Sequence, residues 1–155
     1  MPGPICSAQA QGLRPGQAQA ERGAPLPLGD AEDGAAQAWR DEVELAEGGG
    51  CDAPEDDPEI QSAIFVTGGE MDITIDGTTH RMTPGGFAYV PPGIAWAVHN
   101  ATAGNCGFHW IRKRWQPAAG VDRPDPIVAN EADIAPSPMP DTEGAWATTR
   151  FVDPA

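Results

Sequence analysis

Three histidines and one run of carboxylates are the side chains here best suited to metal or acid–base chemistry. His80, His99 and His109 fall on separate strand-like segments with no His-x-His pair among them. A transition-metal site needs three or four converging His, Glu or Cys donors. Surface or satisfied histidines are commoner than ligands, so a histidine site is not expected. Asp52, Glu55, Asp56, Asp57 and Glu59 crowd the segment "CDAPEDDPEI". Their oxygens suit a hard cation such as calcium, but the segment lacks the glycine and spacing of a calcium loop, and a charge run is ordinarily solvated. Cys6, Cys51 and Cys106 are widely spaced, contain no Cys-x-x-Cys pair and are odd in number, so three free thiols are expected. The sequon Asn100-Ala101-Thr102 would matter only in a secreted chain.

The elements that must position these residues read as short strands. The chain holds 19 Gly and 17 Pro in 155 residues, which disfavours long helices and favours turns. Residues 1–38 are rich in Ala, Gly, Gln and Pro and show no apolar period, so they read as a disordered or mis-started leader. Alternation begins at Val43 and Leu45 and resumes over Ala63 to Thr67 and Met71 to Ile75. Asp76-Gly77 predicts a hairpin turn, Thr78 to Met82 the return strand, and Pro84-Gly85-Gly86 another turn. Strands are predicted at Phe87 to Val90, Ile94 to His99 and Gly107 to Lys113. Regularly spaced antiparallel strands point to an all-β fold, one small barrel or jelly roll over residues 39–116. Residues 117–155 are proline-dense, with strand-like pieces only at Ile127-Val128 and Ala147 to Val152, and read as an extended connector.

A net charge of −14 argues against nucleic acid and anionic membranes, since the basic stripe such partners need is missing. No apolar run reaches the length of a membrane span, and the first residues lack the apolar centre of a secretory signal. A soluble cytoplasmic protein is expected.

"GGFAYVPPGIAWAVHN", residues 85–100, resembles the second motif of the cupins, G-x5-P-x-G-x2-H-x3-N. Gly85, Pro91, Gly93 and Asn100 fall in register, while Trp96 stands at the histidine position. In the first motif, G-x5-H-x-H-x3-4-E-x6-G, taking Gly69 as the last glycine puts Ser62 at the glutamate, and the histidine pair falls among Glu55, Asp56, Asp57 and Pro58. The resemblance therefore implies a degenerate pocket around Trp96, Tyr89 and Ser62, with no metal ligand, no catalytic residue and no cofactor in this chain. Trp96 is expected to fill the pocket by packing, and Phe65, Phe87 and Tyr89 to be core aromatics, Tyr89 needing a partner for its hydroxyl. His99 is three residues from Trp96 and should face the other side of the strand.

A closer resemblance, from about Asp41 to the end, is carried by "PGGFAYVPPGIAW", "FHWIRKRW" and "IVANEADIAPSPMPDTEGAWATTRFVDP". These look like the first half of the bicupin (S)-ureidoglycine aminohydrolases of allantoin and purine breakdown. The resemblance implies a metal-free first barrel, a connector, and a second barrel, supplied in cis or in trans, that binds manganese and performs the hydrolysis. Alone, the chain is expected to be catalytically silent and to associate with the second barrel or with itself. The rival expectations are a stand-alone binding or dimerisation module and a truncated product without independent function.

Overall fold

The computed structural model describes Leu13–Arg14 and residues 38–152. Expectations for the remainder of the leader, including Cys6, lie outside the described residues.

Period-two alternation builds the barrel. In β4 (Ile60–Gly68), Ile60, Ser62, Ile64 and Val66 are buried while Gln61, Ala63 and Phe65 are half-buried on the other face. β5 (Met71–Ile75) and β7 (Gly86–Val90) repeat the pattern. Such alternation gives each strand one face for the core and one for its surroundings. The other barrel strands are β2 (Ala38–Leu45), β3 (Gly50–Cys51), β6 (Thr78–Met82), β8 (Trp96–His99) and β9 (Cys106–Arg114). With β1 (Leu13–Arg14) and β10 (Ile127–Asn130) at its edges, a six-stranded sheet in the order β1-β2-β9-β4-β7-β10 and a four-stranded sheet in the order β3-β8-β5-β6 enclose one core, all pairings being antiparallel. Leu45, Ile64, Val66, Met71, Ile73 and Phe108 are at its centre. The all-β jelly roll expected from the strand spacing is present.

The β5–β6 hairpin turns at Asp76 and Gly77, whose φ values of 48° and 77° are both left-handed. Two such residues match the right-handed twist of the flanking strands, which is why Asp-Gly is legible as a hairpin turn.

Two short strands differ from the expectation, and a third enlarges a piece that was expected. β1 (Leu13–Arg14), within the stretch read as a leader, pairs with Leu45 and Glu44 of β2. β3 pairs with Val98 and His99 of β8, inside what reads as a loop. β10 (Ile127–Asn130) contains the strand-like piece expected at Ile127-Val128 within the connector; it joins the larger sheet at its edge beside β7, and Val128 packs on the core. The two-residue strands β1 and β3 are too short to display a period, so only the partner strand reveals them. The 3-10 turn Glu131–Asp133 follows, then a separate ribbon of β11 (Ser137–Pro138) and β12 (Ala147–Thr148).

Asn100 fastens one end of the barrel. Its Nδ2 donates to the carbonyls of Leu45, Ala46 and Gly104 at 3.1, 3.2 and 2.8 Å, and its Oδ1 accepts from the Thr102 amide and hydroxyl at 3.0 and 2.7 Å. Cys106 is a buried free thiol whose pKa burial pushes up to about 11. Cys51 is disulfide-bonded, which corrects the expectation of three free thiols. Spacing along a chain does not report distance in space.

Candidate functional site

At the opposite end the inward positions carry polar and aromatic side chains. Ser62 of β4 and Arg112 of β9 are cross-strand partners, and Trp110 precedes Arg112 by one inward step. Trp96 opens β8 and is 5% exposed. Its ring meets Trp110 edge to face, with centroids 5.5 Å apart at 81°. Trp110 Nε1 donates to Ser62 Oγ at 3.0 Å, and the Arg112 guanidinium lies over the Trp110 ring at 4.8 Å. Arg112 Nε faces Glu55 Oε2 at 3.3 Å. Hydroxyl, two indoles, guanidinium and carboxylate thus form one continuous cluster.

Of the three expected pocket residues, two meet. Trp96 and Ser62 are joined through Trp110, whereas Tyr89 is turned away. Val90 is the residue opposite Ser62, so Tyr89 one step earlier projects from the outer face, where it lies opposite Ala63 and Ile127. There its hydroxyl donates to Gln61 Oε1 at 2.9 Å. Burial raises the Tyr89 pKa and the Arg123 charge partly offsets the rise. Phe87 and Phe65 share this outer face and pack on Phe151, which stacks on Phe87 at 4.6 Å and meets Phe65 edge-on at 6.3 Å. They are not residues of the barrel interior.

Trp110 and Arg112 are the cluster members the sequence did not single out. Their signal was the inward register set by Phe108 in "FHWIRKRW", which becomes readable only once β4 and β9 are aligned.

The histidines stay apart. His99 is exposed and bonds Asp52 Oδ1 at 2.9 Å, His109 Nδ1 lies 3.4 Å from Arg40 Nη2, and His80 is opposite Ile73. The carboxylate run is tied down by arginines: Arg114 holds Asp57 at 2.9 Å and also Glu59, and Arg112 holds Glu55. Among the described residues no three His, Cys, Asp or Glu side chains converge. Around Trp96 the available groups are an indole, a hydroxyl engaged by Trp110 and a carboxylate facing a guanidinium, a set that does not fit a transition metal. Beside the cluster, residues 55–58, Ile60 and residues 91–96 line a solvent-open cleft of about 180 Å³.

Residues 41–112 match the cupin domain family. They form a cupin domain. The solved structures agree. A protein from Pseudomonas aeruginosa named for glyoxylate induction is 49% identical over 76% of this chain, with a TM-score of 0.72. Protein Ylba from E. coli is 24% identical over 64% of the chain with a TM-score of 0.57, a likeness of fold alone. The chain spans 44% and 40% of the lengths of those two structures. No curated protein matches it.

The four motif positions that this cupin keeps are architectural. Gly85 and Gly93 adopt φ of 83° and 76°, Pro91 is fully buried, and Asn100 makes the fastening described above. The positions that would supply chemistry are the ones that differ. Among the described residues no helix is long and apolar enough to cross a membrane.

Proposed function

We propose that this cupin is the non-catalytic barrel of a two-barrel aminohydrolase converting (S)-ureidoglycine and water to (S)-ureidoglycolate and ammonia. In that reaction a C–N bond to the departing ammonia breaks and a C–O bond to water forms. The carrying observation is a barrel whose donor set does not suit a transition metal, 49% identical to a protein of which it spans less than half. That protein's name refers to glyoxylate. Ureidoglycolate is glyoxylate combined with urea, so the proposed product lies one bond cleavage from that compound. In this reading manganese belongs to the second barrel, and the present chain contributes packing surface. The outer face bearing Tyr89, Ile127 and the 45%-exposed Ile111 is the candidate contact, with a second copy of the chain as the alternative occupant.

The test is to prepare the chain alone and together with a second cupin barrel, then measure bound manganese and ammonia released from ureidoglycine. Metal and turnover are expected only when the second barrel is present. Stoichiometric metal with turnover from this chain alone would overturn the proposal. A stand-alone binding module is the second reading, favoured by the 180 Å³ cleft beside Trp96.

A further inference from the structure

A second solvent-open cleft shares Pro58 and Gly93 with the one beside Trp96, and joins the end of β9 to the connector through Trp115, Pro117 and Arg123. Its volume of about 370 Å³ equals roughly twelve waters' share of the liquid. Pro58, Pro92 and Pro117 give it apolar walls, and Trp115 supplies the one aromatic ring among the lining residues. Trp115 is half-buried, and its amide donates to the Glu59 carbonyl at 2.8 Å, which fixes the end of β9 against the rim.

Arg123 sets the charge of this cleft. Arg81, Arg112 and Arg114 are each ion-paired with a carboxylate, whereas Arg123 forms no ion pair among the described residues, even with Asp122 and Asp125 beside it in sequence. Its Nη1 donates to the Pro92 carbonyl at 2.7 Å, which anchors the guanidinium at the cleft and leaves the rest of its fork of donors open. Glu59 is the one carboxylate on the lining, and Arg114 holds it. The net charge of −14 opposes an anion at long range, but charges more than roughly 8 Å away are largely screened at physiological salt. Locally the lining presents an unopposed cation beside an indole. A guanidinium fork matches the two oxygens of a carboxylate, and an indole among prolines makes a flat apolar wall.

We propose that this cleft binds a small carboxylate carrying a flat apolar ring, of about ten non-hydrogen atoms. The carboxylate is placed on Arg123 and the ring against Trp115 and the prolines. The inference is independent of the two-barrel reading, which is tested by manganese and ammonia, and its failure would leave that reading standing.

The experiment titrates the full chain with phenylacetate and follows the indole N–H signals by NMR, that of Trp115 being assigned by its absence in Trp115→Phe. A saturable shift of the Trp115 signal is expected, with a dissociation constant on the order of a millimolar, the scale for so small a ligand in an open site. Phenethylammonium, which has the same ring and the opposite charge, should not bind, and acetate should bind more weakly. Arg123→Gln should weaken phenylacetate binding about tenfold or more, the scale of a charge-assisted hydrogen bond, and because Arg123 is exposed the melting temperature should not change. Arg123→Lys keeps the charge and a donor for Pro92, so it guards against a local folding defect and should lose less than Arg123→Gln. Absence of a saturable shift at Trp115, equal binding of phenethylammonium, undiminished binding by Arg123→Gln, or equal losses in the two Arg123 variants would each overturn the proposal.

Discussion

The two ends of the barrel both bury a polar side chain, and they treat it differently. Asn100 uses both its amide nitrogen and its oxygen, bonding the end of β2 at Leu45 and the loops at Ala46, Thr102 and Gly104. Glu55 shares its buried position with an arginine yet keeps one oxygen without a hydrogen bond. A closed network rigidifies the loops it joins, whereas the Glu55–Arg112 pair is held by charge at 3.3 Å rather than by a full set of hydrogen bonds. The motif residue with a mechanical task is kept, and the histidine position, where the task would be chemical, is occupied by packed indole.

The comparison can be broken hardest at Trp96. Trp96→Ala removes a buried indole and the edge that Trp110 rests on, and should cost about 3–5 kcal/mol in chemical denaturation. If the loss were near zero, the indole would not be the filler described here. Asn100→Ala comes next, at about 2–3 kcal/mol, because several carbonyls and the Thr102 amide lose their partner in a buried site. Amide exchange at residues 46–49 and 101–104 should rise while that at Trp96 stays slow. A uniform rise would mean that the two ends are not separately fastened.

Phe151→Ala tests the outer face rather than either end. It should cost about 1 kcal/mol and make residues 131–150 more susceptible to limited proteolysis, since the ring clasps Phe65 and Phe87. The smallest effect is alkaline. Burial holds the Cys106 pKa near 11 against an ordinary value of 9.0, so the folded chain keeps a proton that the unfolded chain releases. The stabilisation is complete below about pH 9 and is lost as pH rises through 11. Tyr89, also raised, acts with the same sign, so the thiol's share is the difference in alkaline sensitivity between Cys106→Ala and the parent. Identical slopes would assign the whole effect elsewhere.

The barrel strands were legible because Ile73 and Ile75, or Ile64 and Val66, alternate with polar or small neighbours, a pattern that one face of core imposes. Asn100 was legible through its place in the motif. Tyr89 was not, since its face depends on register: one step along β7 separates the barrel interior from the outer surface. Arg112 was hidden for a related reason, as its meaning comes from Ser62 across the sheet, Glu55 in a distant loop and the Trp110 ring beneath. The Cys51 disulfide could not be read from the separation of cysteines along the chain.

β10 covers the free edge of β7 along Gly86 to Tyr89, residue against residue. Trimming the polypeptide ahead of Ile127 would strip that seam and leave a row of backbone amides and carbonyls open to any passing strand. A shortened barrel designed for easier handling would then be prone to stick to itself, so the minimal autonomous unit extends at least through Asn130.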